Sequence, residues 1–163
     1  MIIPMNSNEI KRNKGEWSEQ YILLKLLYKK EISFGDPYFS PLPQKVKLLS
    51  LSTLTDDHSI HILPDSEIAI INKNTNQVTK TLAISDVFTE KDLNQIHDLI
   101  MLGEGRSFSA PANIIHRIFS HLGIKNEKAQ GNSKIDIYIS FSHKGQIYER
   151  EPVGLKSYLG NPP

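Results

Sequence analysis

The period at which apolar residues recur changes along this chain, and each change marks the passage from one kind of element to another. Between residues 14 and 30, Trp17, Tyr21, Leu24 and Tyr28 return at three- and four-residue steps, with Ile22, Leu23 and Leu27 beside them. That is the period of a helix laying one broad face on a core. Residues 46–51, 59–63, 67–71 and 77–84 are instead short runs of Val, Ile, Leu and Thr separated by Asp, Asn and Pro, and they read as strands. Residues 35–43 hold Gly-Asp-Pro and two further prolines, which remove amide donors, so a loop is expected there. Lys73-Asn74-Thr75-Asn76 reads as a hairpin turn, because Asn tolerates positive φ.

Helical spacing then returns. Ser85 or Thr89 is placed to cap a helix over 90–101, and 112–122 carries Ile115, Ile118, Phe119 and Leu122 on one face before Gly123 stops it. Residues 125–133 are polar and end in Gly-Asn-Ser, the composition of an exposed connection. Residues 134–141 alternate strictly. Ile135, Ile137, Ile139 and Phe141 share one face while Asp136, Tyr138 and Ser140 share the other, the pattern of a central strand. A turn is expected at 143–145, a return strand at 146–150, and its continuation past Pro152 over 153–159.

A chain of 163 residues suffices for one domain with a sizeable core. Hydrophobic residues at 39% and charged residues at 23% exclude the disordered and fibrous classes. The absence of cysteine closes the thiolate-zinc, disulfide and Cys-nucleophile readings. No apolar run approaches the roughly 18 residues that cross a bilayer, and the N-terminus lacks the charged-then-apolar order of a signal peptide. A cytoplasmic protein with no membrane association is therefore expected. A formal net charge of +1 provides no global attraction to polyanions, so a nucleic-acid reading must rest on local charge and on a site.

Such a site is suggested near the end of the chain. Asp136 lies on the face opposite the apolar stripe of its strand, and in the later run Gly154, Lys156 and Tyr158 share a face. Two lone polar residues on strands are ordinarily just polar-face residues. Paired in register, however, they bring a carboxylate beside an ammonium. Phosphodiester hydrolysis needs a cation to offset phosphate charge, a carboxylate to hold that cation, and a group to position water. A hard ion such as Mg²⁺ prefers carboxylate oxygen, and Lys156 is suited to orient the water.

The runs SKIDIYI at 133–139, VGLKSYLGNPP at 153–163 and KGEWSEQYILLKLL at 14–27 together resemble the HpaII family of type II restriction endonucleases, which is similar in its active site to the PD-(D/E)xK nucleases. The resemblance implies an α/β (α+β), restriction-endonuclease-like domain with a central mixed sheet flanked by helices. It further implies Mg²⁺-dependent cutting of double-stranded DNA at a short specific site, by an enzyme that is often a homodimer because a two-fold axis matches a symmetric site. Asp136 becomes the metal-binding aspartate, Lys156 the catalytic lysine and Glu19 a helical carboxylate facing the metal. Glu16 is the rival for that last role, one turn away. An acid in the first helical turn also serves simply to offset the dipole, a reading that suits Glu16 better than Glu19.

Two departures from the family pattern bear on this. The position two before the lysine, usually acidic in the broad group, is Gly154. Its missing carboxylate is then sought at Glu19 first, or at Glu149 or Glu151 if Pro152 shifts the strand phase; failing these, Asp136, the Leu155 carbonyl and water remain. The chain also ends seven residues after Lys156, where family members continue, so residues 1–163 are expected to form a single domain incomplete at its C-terminus. The competing function is a DNA-binding or assembly fragment without catalysis.

Other features carry less. His58 and His61 suggest a metal pair but lack a third partner in sequence, and His116 and His121 flank a helix whose apolar stripe explains it. Gly103-Glu104-Gly105-Arg106 follows a helix, where a phosphate loop should follow a strand, so it reads as a turn. Lys11, Arg12, Lys14, Lys29 and Lys30, and later Arg106, Arg117, Lys125 and Lys128, are either solvated surface or contacts to a DNA backbone.

Overall fold

The computed structural model of the chain describes residues 10–35, 41–53, 56–125 and 137–153. Helix α1 spans Lys14–Lys29, one residue short of the expected end, because Lys30 turns left-handed (φ 59°) and its N–H closes on the Leu26 carbonyl at 2.8 Å. Trp17, Leu23, Leu24 and Leu27 are buried, as the spacing required. Strand β1, Glu31–Gly35, was not anticipated, and β2, Pro41–Thr53, begins inside the expected loop. Prolines are tolerated at the start of a strand, where the missing amide costs little, so the loop prediction ran too long at both ends.

Strands β3 (His58–Ile62), β4 (Glu67–Asn72) and β5 (Val78–Ala83) fall where the sequence runs lie. Ile84, expected to close the last of these, instead opens a four-residue helix α2, Ile84–Val87, and is buried. Thr89 rather than Ser85 caps α3, Glu90–Met101, in a reciprocal box with Asp92. Helix α4, Ala112–Leu122, ends at Gly123, whose φ of 71° is readily adopted only by glycine. The chain closes its described part with β6, Ile137–His143, and β7, Gln146–Val153. The expected connection at 126–133 and the start of the strand expected over 134–141 lie outside the described residues.

Six strands order as β5-β4-β3-β2-β6-β7, with β1 pairing the first half of β2, and each described pairing is antiparallel. One face of this sheet packs against the helices. Leu48, Leu51, Ile60, Ile68, Ile137 and Ile139 meet the apolar stripes of α1, α3 and α4 in one continuous core. Burial of each such side chain contributes roughly 1.5–3 kcal/mol against the entropy of ordering it. The parity of β2 changes along its length, from Val46 and Leu48 to Leu51, because the register with β6 shifts between Leu48 and Ser50. Strand β6 is interior, between β2 and β7, while β7 ends the order among the described residues. No helix among the described residues is long and apolar enough to cross a membrane.

Candidate active site

The strand expected to carry the chemistry and its return partner form one hairpin. Lys144 and Gly145 both have positive φ, 51° and 77°, the signature of the two-residue turn whose twist matches that of paired strands. From it the register runs His143↔Gln146, Ser142↔Ile147 and Phe141↔Tyr148, the last pair stacked with ring centroids 4.9 Å apart. The register then shifts, so that Glu149 and Arg150 together oppose Ser140. Arg150 accommodates the extra residue with a φ of 52°, and its N–H donates to Ser140 Oγ at 3.1 Å. Beyond the bulge the pairs are Ile139↔Glu151, Tyr138↔Pro152 and Ile137↔Val153. The phase change expected at Pro152 is thus set two residues earlier, and β7 continues through the proline.

Asp136 immediately precedes the last of these pairs and Lys156 follows it by three positions; both, with Leu155, lie outside the described residues. Glu151 is exposed opposite Ile139, and Glu149 is exposed within the bulge. Glu19 is half-buried in the second turn of α1. Glu16 is engaged at the helix start: its Oε1 accepts from Asn13 N at 3.3 Å, its own N–H donates to Asn13 Oδ1 at 2.8 Å, and Oε2 stands 4.0 Å from the Arg12 guanidinium. This is the capping role that the sequence left open for it. Among the described residues no three His, Cys, Asp or Glu side chains gather in a metal-sized cluster.

The sheet face opposite the core is polar. Ser50 is paired with both His61 and Ser140, and Ser52 with Tyr138, so hydroxyls and aromatic polar groups lie side by side across three strands. They floor a basin of about 540 Å³ that Lys73, Glu149 and Arg150 help to wall. The Arg150 guanidinium lies 4.9 Å from the centre of the Tyr138 ring. Ser59 Oγ and His61 Nε2 are 3.1 Å apart, and burial pushes the His61 pKa down, which favours the uncharged ring on this face. His61 therefore sits at a serine-lined surface, whereas His58 has the parity of the buried Ile60 on the other face of the strand.

Lys73, read from sequence only as a turn residue, sends its Nζ to the Thr53 carbonyl at 2.9 Å. Thr53 is in turn the β2 partner of Ile137. Burial lowers the Lys73 pKa; Asp56 and Asp57 raise it, and Arg150 lowers it further. Two cations thus act on one another across the basin, and neither was singled out in the sequence, because each belongs to a different hairpin. Of the basic residues that were, Arg12 is buried against Trp17 beside Glu16, with its pKa lowered by that burial, and Arg117 pairs with Asp92 at 3.1 Å. Both are occupied in holding helices.

An α+β domain of this kind, with helices on a sheet and a hairpin presenting its open end, is the arrangement of restriction-endonuclease-like folds. The family model described as HpaII restriction endonuclease matches residues 13–163, and the chain belongs to that family. It is similar to the type II restriction enzyme HpaII of Haemophilus parainfluenzae, with 31% identity over 152 residues that cover 92% of this chain and 41% of that protein. The chain thus spans well under half the length of this relative. No solved structure matches it.

Proposed function

We propose that this chain carries the cutting site of a type II restriction endonuclease, hydrolysing phosphodiester bonds of double-stranded DNA at a short specific site with Mg²⁺. The observation that carries the reading is the register Ile137↔Val153, which pairs the residue after Asp136 in the chain with the residue three before Lys156. Asp136 is within one Cα step, ~3.8 Å, of Ile137, and Lys156 within about 11 Å of chain from Val153, so the two are in reach of a common phosphate.

Carboxylate oxygens of Asp136 and Glu19, with the Leu155 carbonyl, would form a hard donor set of the kind Mg²⁺ takes. Bound there, the ion supplies Lewis-acid stabilisation of the phosphate and a more acidic water. Asp136 would hold the ion, and Glu19 would take the place of the acid that Gly154 lacks. Lys156 would orient the attacking water, and as a neutral amine its Nζ would accept the proton that water gives up.

Plasmid cleavage in Mg²⁺ tests this. Activity in the wild-type chain that disappears in both Asp136→Ala and Lys156→Ala, with unchanged circular dichroism, is the expected result. DNA retention without cleavage by the wild type favours a binding module instead.

A further inference from the structure

We infer that Lys73 and Arg150 form a phosphate clamp, on the open face of the sheet, for the DNA backbone next to the bond that is cut. The inference rests on the nuclease reading for its substrate, but its geometry is independent of it. Four observations converge on it. Most side chains lining the basin are polar, the hydroxyls of Ser50, Ser52, Ser59 and Ser140 among them, so it offers hydrogen bonds to a polar partner. The two cations stand on its wall from different hairpins, and among the described residues neither is in an ion pair. Two like charges that repel each other in one basin are stabilised by an anion placed between them.

The backbone at Arg150 is the third observation. A left-handed φ is costly for a non-glycine residue, and here it belongs to the bulge that carries the guanidinium onto the Tyr138 ring. A stacked planar fork of donors is well suited to phosphate oxygens. The fourth is position. Lys73 is tethered to Thr53, opposite Ile137, and Arg150 is stacked on Tyr138, so both cations border the residues that follow Asp136 in the chain.

Asp56 and Asp57 act on Lys73, Asp56 more strongly than Arg150 does, but among the described residues neither forms an ion pair with it. Asp56 is buried and bound by the Thr53 hydroxyl and the Lys125 N–H, and Glu149 is exposed on the rim. His61 and the serines then supply neutral hydrogen-bonding groups along the floor, where a phosphodiester with its two oxygens needs partners rather than more charge.

Binding of a fluorescently labelled mixed-sequence duplex by the full chain, in EDTA and across a KCl series, provides the test. Each phosphate contact removed lowers the slope of log affinity against log salt by about one. Lys73→Ala and Arg150→Gly are expected to show that loss, glycine keeping the left-handed backbone of the bulge. Arg150→Lys should restore the slope, while Lys91→Ala on the helical side leaves it at the wild-type value. Wild-type slopes in folded Lys73→Ala and Arg150→Gly, or a wild-type chain that does not bind duplex, overturn the clamp. Because no metal is present, the outcome is separable from the nuclease reading: loss of cleavage in Asp136→Ala with unaltered slopes in the clamp variants sinks only the clamp, and altered slopes in a chain that never cuts sink only the nuclease.

Discussion

Ile137 and Val153 are Cα partners at the open end of the β6–β7 hairpin, and the register that joins them is transmitted from a two-residue turn through a single bulge at Arg150. A slip of one residue in that ladder would move every side chain of β7 to the other face. The register is therefore what the proposed cutting site depends on, and it can be locked. Ser142 and Ile147 are partners on the turn side of the bulge, and the chain has no cysteine to compete. Cysteines at both positions are expected to oxidise to an intramolecular disulfide, since directly opposed strand residues have Cα atoms about 4.5–5.5 Å apart. Closing so short a loop adds up to about 2 kcal/mol, read as a higher melting temperature. Thiols that stay reduced, or that link only between molecules, would show that the strands pair differently.

The start of α1 is held by a small cluster around Phe108. Arg12 and Phe108 exchange backbone hydrogen bonds, and Trp17 Nε1 donates to the Phe108 carbonyl at 2.8 Å. A Cβ at Gly103 would stand 2.2 Å from Phe108 Cζ. Gly103→Ala must push the ring out of this cluster and is expected to cost about 1–3 kcal/mol, as overpacking does. Trp17 is the sole tryptophan and fully buried, so its emission reports the change directly in a urea titration. An unchanged midpoint would mean that the ring has room to move.

Periodicity made some parts of this molecule legible and concealed others for definite reasons. The steps from Trp17 to Tyr28 and the alternation of Ile137 and Ile139 correspond to faces that are buried, so α1 and β6 could be read directly. β1 escaped because EISFG has too few apolar residues to alternate, and α2 because four residues, ISDV, are too short to show a helical period. The bulge left no trace, since its positive φ falls on an arginine rather than a glycine. Lys73 and Arg150 looked like ordinary turn and strand residues until the sheet brought their hairpins to one basin. Only the family resemblance, and no pattern of spacing, singled out Glu19.

Acid should weaken one specific joint. Burial acts to raise the Asp92 pKa, but the Thr89 N–H, the Arg117 guanidinium and the Thr89 hydroxyl together outweigh it and hold the carboxyl below its usual range. A carboxyl depressed in the folded state contributes stability that is complete above its unfolded pKa, about 3.9, and is lost as the pH falls through the folded value. Asp92→Asn is expected to cost about 1 kcal/mol at neutral pH through the weakened cap. Urea midpoints of the variant and the wild type should converge as acidification carries the pH through the depressed folded value. A difference that persists undiminished there would mean that the charge of Asp92 is not what the cap uses.

Glu16 and Glu19 sit one turn apart on α1, and the proposed metal role of Glu19 predicts that they respond differently to divalent ions. Glu16 is committed to Asn13 and Arg12, so Glu16→Gln is expected to lower stability by about 1 kcal/mol in EDTA and to leave any response to divalent ions intact. Glu19 is the proposed ligand, so the response of Glu19→Gln to divalent ions is read against that variant's own melting temperature in EDTA. Ca²⁺, which takes the same oxygen ligands, is expected to raise the wild-type melting temperature with concentration, as any ligand that binds the folded state does. That rise should flatten in Glu19→Gln and in Asp136→Ala. If it flattens in Glu16→Gln instead, the helical ligand is Glu16, and the capping contacts seen at the start of α1 must break when the metal binds.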